Sequence, residues 1–178
     1  MKNQNITDEQ KIKIENYLNS QLNLEYKAFY FYQFCMAYFN QHDIALPGLT
    51  QFFENMAFEE LTHAKGIIDY MNKCFFEVKF RPISTGCDIL ENVNDVFKKS
   101  VEFEIQVYNH ILEIYNYCEN IGDRATTIFL DPYVKEQIDS IKELNDLHIN
   151  AKRCIGGSEK LLGLFIYDNS FNTKNKFK

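Results

Sequence analysis

Residues that interrupt helices are scarce in this chain. Its 178 residues include only three prolines, seven glycines and no tryptophan. Proline and glycine are the two residues least favourable inside a helix, so their scarcity permits long uninterrupted helices. Hydrophobic residues make up 46% and charged residues 25%, a composition typical of a globular domain rather than a disordered chain.

Basic blocks are also missing. The formal net charge is −6, and the only cluster of lysines is the short C-terminal one at Lys174, Lys176 and Lys178. Nucleic-acid binding depends on clustered Lys and Arg, so we expect no nucleic-acid partner. An acidic chain is instead compatible with cationic cargo.

Long apolar runs and closely spaced cysteines do not occur either. No stretch approaches the roughly 18 apolar residues of a membrane span, so no membrane partner is expected. The segment MKNQNITDEQKIK has no apolar core, and we expect no secretory signal. Because no CxxC pair occurs, we expect neither a disulfide scaffold nor a zinc ribbon, but a reduced, cytoplasmic chain. The five cysteines are Cys35, Cys74, Cys87, Cys118 and Cys154.

Apolar residues recur at helical spacing along most of the chain. A capping pattern, Thr7-x-x-Gln10, opens the first periodic segment, and Pro47 suits the first turn of the second. Pro132 lies inside the fourth segment and should kink it. The predicted long helices cover about 8–40, 48–74, 88–120 and 123–155. A short apolar helix is predicted at about 158–168, followed by a polar tail at 169–178.

The lengths of the connections predict how the helices pack. Short loops join the first helix to the second and the third to the fourth, so each pair should be antiparallel. The longer connection FFEVKFRPISTG could cross the bundle. We therefore predict an all-α single domain over 1–178. It is an up-down-down-up four-helix bundle (about 8–155) with a long crossover between helices two and three and a short fifth helix.

Polar residues interrupt the apolar stripe near the middle of each long helix. If the helices pack in register, these residues lie at one level of the core. Buried carboxylates cost several kcal/mol each, so a group of them needs compensating positive charge. A pair of metal ions supplies it, and carboxylate oxygen with imidazole nitrogen suits iron. The residues are Glu25, Glu60, His63, Glu104 and Gln137.

Three segments carry a family resemblance. The first helix contains Asn23-Leu24-Glu25-Tyr26 followed by Tyr30-Phe31-Tyr32, and the second contains Phe58-Glu59-Glu60-Leu61-Thr62-His63-Ala64. The third segment, residues 133–144, contains Glu136-Gln137. With Glu104, these segments resemble the ferritins over nearly the whole chain, and the second matches the EExxHA signature of that family. The heavy-chain, catalytic type is the most similar.

The resemblance implies a role for each polar residue. Glu25, Glu60 and His63 would bind a first iron, and Glu60 would bridge to a second iron that Glu104 also holds. Gln137 would lie beside the second iron as a hydrogen-bonding partner or weak ligand.

Two further residues acquire roles only through the resemblance. Tyr32 would donate a hydrogen bond to a ligating carboxylate, and Glu59 would act just inward of the centre as a relay or third-iron site. The implied activity is that of a ferroxidase, in which dioxygen oxidises Fe(II). The Fe(III) would then be stored as mineral inside a homo-oligomeric shell of 24 subunits. No haem is expected, because no methionine directly follows Glu60 and the second ExxH of bacterioferritins is absent.

The chain also departs from the heavy-chain pattern. Positions that carry further acidic residues near the paired glutamates hold Thr62 and Lys65, so the nucleation patch looks depleted. The acidic pair of the threefold channel falls on Thr127 and Leu130, for which Asp123 or Asp131 could substitute. The resemblance therefore leaves open how iron enters and where mineral nucleates.

Alternatives to an iron-oxidising subunit remain. One is a catalytically silent shell subunit like a light chain; others are a rubrerythrin-like peroxidase, an oxygenase or a DNA-protecting mini-ferritin. The short fifth helix could line a fourfold channel, or its apolar residues Leu162, Phe165 and Ile166 could dock on a monomer. Histidines without a ligand partner at helical spacing are predicted to be surface or interface groups. They are His42, His110 and His148.

Overall fold

The protein is a bundle of helices. The computed structural model describes residues 6–84 and 92–174, with side chains as far as residue 171. These residues form no strand, and none of their helices is long and apolar enough to cross a membrane. Cys87, the predicted start of the third helix near Asp88, and Lys176 and Lys178 lie outside them. The helices are α1 (Asp8–Phe39), α2 (Pro47–Lys73), α3 (Val93–Asn120), α4 (Arg124–Ile155) and α5 (Lys160–Lys174).

The helix starts follow from local sequence. Thr7 Oγ1 accepts a hydrogen bond from the Gln10 amide at 3.2 Å, and the Gln10 side chain accepts one from the Thr7 amide at 2.9 Å. This reciprocal pair satisfies two amides that a helix start otherwise leaves unpaired, which confirms the predicted capping box. Pro47 is the first residue of α2, where its missing N–H costs nothing.

The long helices pack in the predicted up-down-down-up order. On α1 and α3, Tyr17 pairs with Glu113 while Phe31 stacks on Phe103, so residue numbers rise on one helix as they fall on the other. On α2 and α4, His63 contacts Tyr133 while Tyr70 contacts Thr126, again antiparallel. With the short α1–α2 and α3–α4 connections, these pairs confirm a four-helix bundle with one long crossover.

The beginning of the crossover runs along α1. Asn19, which is fully buried, donates to the Glu77 carbonyl at 2.8 Å and accepts from the Lys79 amide at 2.6 Å. One turn further, Asn23 donates to the Arg81 carbonyl at 3.4 Å. The asparagine side chains thus form hydrogen bonds with backbone groups that have no strand partner. These hydrogen bonds hold the crossover against α1.

The fifth helix is longer than predicted and packs with a different face. It continues past Asp168 to Lys174, so residues 169–174 are helical rather than part of a polar tail. Tyr167 and Phe171, one turn apart, are buried against the bundle and extend the helix. The apolar residues expected either to line a fourfold channel or to dock on a monomer are exposed in the single chain: Leu162, Phe165 and Ile166.

A polar layer divides the hydrophobic core into two clusters. One contains Phe53 and Phe97, and the other contains Leu18 and Ile67. On α1 the boundary falls between Leu22 and Ala28, which belong to different clusters. Apolar packing therefore holds both ends of the bundle and leaves the polar residues enclosed between them.

Candidate metal centre

The polar layer is built from one or two residues of each long helix. Glu25 of α1, Glu60 of α2, Glu104 of α3 and Gln137 of α4 are each 1–4% exposed. His63, one turn after Glu60, is partly buried. Helical periodicity carries these side chains into the core, because they occupy the same stripes as the apolar residues before and after them.

Glu25, Glu60 and His63 form a compact group. One ligand atom from each lies within 4.8 Å of the other two. His63 Nδ1 is 3.7 Å from Glu25 Oε2 and 3.5 Å from Glu60 Oε2. These distances exceed those of normal hydrogen bonds and leave space between three groups that can bind a cation.

The same two carboxylate oxygens are unpaired. Glu25 Oε2 and Glu60 Oε2 are buried and have no hydrogen-bond partner among the described residues. A buried polar atom without a partner costs about 1–3 kcal/mol, and more when the group is charged. Two such oxygens facing one imidazole nitrogen are what a divalent cation would satisfy, so the group fits a metal ion.

Glu104 lies beside this group with its oxygens held by neighbours. The Tyr32 hydroxyl donates to Glu104 Oε1, and the Gln137 amide donates to Glu104 Oε2. Gln137 also donates to the Glu104 carbonyl oxygen at 3.2 Å. Tyr32 is fully buried. Two neighbouring helices thus fix the orientation of the third carboxylate.

Burial and the charges of neighbouring carboxylates favour the neutral forms of Glu60 and Glu104. Burial raises the pKa of Glu60 well above its ordinary value, and the charge of Glu104 adds to this. Burial likewise raises the pKa of Glu104 to about 7, although Tyr32 and Gln137 oppose the shift. Burial lowers the pKa of His63, but Glu25 and Glu60 outweigh it and bring the pKa to about 11. The group therefore attracts positive charge, whether a proton or a metal ion.

Several polar residues lie on the exposed side of the group. Glu59 is exposed, as are Thr62 and Lys65, which occupy the positions of the depleted nucleation patch. Glu136 is half exposed, and its Oε2 is 3.3 Å from His63 Nε2. Glu136 can therefore hold the imidazole so that Nδ1 faces Glu25 and Glu60.

His110, predicted to be a surface or interface group, has a hydrogen-bond partner that the sequence did not indicate. His110 is partly buried, and its Nδ1 is 2.7 Å from Gln21 Oε1. Gln21 in turn donates from Nε2 to Glu25 Oε1 at 2.6 Å. Gln21 precedes Glu25 by one helical turn, which was the available sequence signal; the contact with His110 depends on how α1 and α3 are aligned.

The four residues considered for iron entry differ in how exposed they are. Leu130 is buried in the core, so it cannot line a channel at the surface. Asp123 is also buried and caps α4 through Thr126. Thr127 is partly buried, whereas Asp131 is exposed. Of the two proposed substitutes, only Asp131 therefore presents a carboxylate to the surroundings.

Fold and site together define a four-helix bundle whose interior holds a carboxylate-rich cluster that could hold a metal ion. The sequence matches the family described as Ferritin: Ferritin-like domain over residues 15–154, which is most of the chain. The chain belongs to the ferritin family, whose members store iron.

Three relatives show the extent of the similarity. The chain is 32% identical to the soma ferritin of Lymnaea stagnalis over 153 residues, covering 85% of this chain and 86% of that protein. It is 29% identical to a ferritin of Pacifastacus leniusculus over 159 residues, covering 88% and 86%. It is 28% identical to the ferritin-2 heavy chain of Schistosoma mansoni over 156 residues, covering 86% and 88%.

Proposed function

We propose that the protein is a ferroxidase that oxidises Fe(II) with dioxygen at an intrasubunit di-iron centre and stores the Fe(III) as mineral. One observation carries the proposal. Two buried oxygens, Glu25 Oε2 and Glu60 Oε2, accept no hydrogen bond from any described residue and lie near His63 Nδ1. Family membership supports iron storage as the broad function.

Each residue of the polar layer has a proposed task. Glu25, Glu60 and His63 bind the first Fe(II), with two anionic oxygens and one neutral nitrogen. Glu60 also faces the second Fe(II), which Glu104 binds. Tyr32 and Gln137 orient Glu104 through hydrogen bonds to its carboxylate, and Gln137 can also act as a weak ligand.

The electrostatics of the layer favour Fe(II) as the substrate. Binding it displaces the protons that burial favours on Glu60 and Glu104 and that the neighbouring glutamates favour on His63. The bound ion also supplies the positive charge that compensates the buried carboxylates. Two bound Fe(II) ions each give up one electron, and together with two protons they reduce one dioxygen to hydrogen peroxide, which leaves the centre. The Fe(III) formed then leaves for the mineral, and exposed Glu59 is the proposed next ligand on that path.

The setting of this reaction is also a proposal. We propose a homo-oligomeric shell of 24 subunits that encloses the mineral, because ferritins assemble as shells. The exposed apolar residues of α5, Leu162, Phe165 and Ile166, are available for contacts between subunits. A cytoplasmic location fits the described cysteines, none of which is paired in a disulfide.

Ligand removal tests the proposal. Glu60→Ala and His63→Ala should each slow aerobic Fe(II) oxidation, followed by stopped-flow absorbance, by roughly 100-fold or more. The reason is that loss of even an outer partner of a metal ligand typically costs 10–100-fold. Oxygen consumption in the same samples confirms that dioxygen is the oxidant.

Matched controls separate ligand loss from general damage. Glu119→Ala on α3 and His148→Ala on α4 remove the same side-chain types away from the polar layer. Both should oxidise Fe(II) like the unmodified protein. The proposal is wrong if Glu60→Ala and His63→Ala retain the rates of these controls.

A further inference from the structure

A chain of hydrogen bonds leaves the candidate metal centre and ends on α3. Gln21 Nε2 donates to Glu25 Oε1 at 2.6 Å, and His110 Nδ1 lies 2.7 Å from Gln21 Oε1. Gln21 is 1% exposed, so water cannot replace either partner without a rearrangement. The chain links one metal-binding carboxylate to a histidine outside the polar layer.

The chemistry of the amide fixes the direction of this chain. Gln21 Oε1 can only accept a hydrogen bond, so His110 must donate to it from Nδ1. The other end of the amide, Nε2, can only donate and therefore faces Glu25. Without His110, Oε1 would lose its donor, and only the hydrogen bond to Glu25 would hold the buried amide.

The position of Glu25 follows from that of the amide. Gln21 occupies Oε1, and Oε2 is left to face His63 Nδ1 at 3.7 Å. The carboxylate therefore offers one defined oxygen to a metal ion. A carboxylate free to rotate would lose conformational entropy on binding the ion, which weakens affinity.

His110 is itself held in place. Its ring meets the Tyr17 ring edge-on, with centroids 6.2 Å apart, and the Tyr17 hydroxyl donates to Glu113 at 3.0 Å. Burial lowers the pKa of His110, although Glu113 and Glu25 oppose the shift. The packing supports a single ring orientation in which Nδ1 faces Gln21.

We infer that Gln21 and His110 are positioning residues of the metal centre, which act through Glu25 by directing its Oε2 towards the metal ion. The inference rests on the proposed function, since it concerns the same centre. It assigns a role to two residues that bind no metal themselves. The alternative is that the two side chains only satisfy each other in the core.

Zn(II) binding measures positioning without any redox step. Isothermal titration of the full-length protein with Zn(II) should show a site that Glu60→Ala abolishes. His110→Ala should weaken this site about tenfold, the lower end of the cost for losing an outer partner of a ligand. His110→Asn keeps an N–H donor near the Nδ1 position and should bind within about twofold of the unmodified protein, as should the control His148→Ala.

A second variant tests whether His110 acts through Gln21. Gln21→Met keeps the length of the side chain but removes the amide, and should also weaken Zn(II) binding about tenfold. Adding His110→Ala to Gln21→Met should then cost nothing more, because residues in one hydrogen-bonded chain are not additive. If His110→Ala does not fold, Gln21→Met makes the same comparison alone.

The outcomes separate the inference from the proposed function. If no Zn(II) site depends on Glu60, the proposed function fails and the inference fails with it. The positioning role alone is overturned in either of two cases where that site exists. In one, His110→Ala and Gln21→Met bind Zn(II) within twofold of the unmodified protein; in the other, His110→Asn binds as weakly as His110→Ala.

Discussion

Burial of Glu60 and Glu104 in the polar layer makes their charged forms costly when no metal is bound. Burial in the folded state raises the pKa of Glu104 from its ordinary value of 4.5 to about 7. Between these values the folded protein holds more protons than the unfolded chain, so stability falls as pH rises. The pKa of His63 is raised from 6.5 to about 11, so its contribution to stability is also lost as pH rises, but at higher pH.

Replacing Glu104 isolates one of these contributions. In protein stripped of metal by a chelator, the free energy of unfolding should fall between pH 5 and pH 7. The glutamine of Glu104→Gln cannot titrate. The free energy of unfolding of this variant should therefore fall less over the same pH range, by on the order of 2 kcal/mol. Urea unfolding at the two pH values measures both slopes.

Glu119→Gln is the matched control for that experiment. It lies exposed on the same helix and should have the pH dependence of the unmodified protein. An equal pH dependence for Glu104→Gln and Glu119→Gln would show that Glu104 is not held neutral by its surroundings.

The buried polar layer could be predicted from the sequence, whereas the contacts around it could not. Glu60 and Glu104 interrupt apolar stripes, and helical periodicity alone carries such residues into the core. The contact between Gln21 and His110 depends on the alignment of α1 against α3, which periodicity does not determine. An isolated histidine with no partner at helical spacing therefore gave no signal of its role.

At the scale of elements, a single carboxylate joins α5 to the start of α2. Asp168 is 4% exposed, and its Oδ1 accepts a hydrogen bond from the Leu49 amide at 2.8 Å. An acidic group is favoured there because the first amides of a helix are unpaired and carry partial positive charge. Gly48 permits the close approach, since a Cβ at that position would clash with the Asp168 carbonyl oxygen.

Removing this carboxylate should destabilise the protein. Asp168→Ala leaves the buried Leu49 amide without a partner, at a cost of about 1–3 kcal/mol in the free energy of unfolding. Asp168→Asn keeps an acceptor oxygen and should lose less. Chemical denaturation measures both variants.

The neighbouring residue provides the comparison. Asn169 is exposed and bonds only within α5 among the contacts described, to the Phe165 carbonyl. Asn169→Ala should change stability by less than about 0.5 kcal/mol. Equal losses for Asp168→Ala and Asn169→Ala would contradict the anchoring role of Asp168.

Helix ends could be predicted where nearby residues in the sequence determine them. They could not be predicted where contacts with distant residues determine them. The capping box at Thr7 and the first-turn Pro47 mark helix starts through their own side chains. The extension of α5 to Lys174 depends on burial of Phe171 against Phe52 and Phe97, which are distant in sequence. The path of the crossover similarly depends on Asn19, which is polar and carries no apolar signal.

At the scale of the whole molecule, the residues that stabilise the bundle and the residues proposed to react lie at different levels along its axis. Two apolar clusters form its ends, and the polar layer with the proposed metal ligands lies between them. Exposed apolar residues of α5 remain for contacts with other subunits in the proposed shell. This arrangement lets costly buried carboxylates persist, because packing on both sides offsets their cost.

Single-turnover oxidation tests the di-iron centre most directly. Fe(II) is added to metal-free protein without oxygen, in steps from zero to four ions per subunit, and each sample is then mixed with dissolved dioxygen. A centre that binds two iron ions should give a fast phase whose amplitude grows up to two Fe(II) per subunit and then stops, with one dioxygen consumed for every two Fe(II). A fast phase without a break at two, or oxidation no faster than in protein-free buffer, would contradict it.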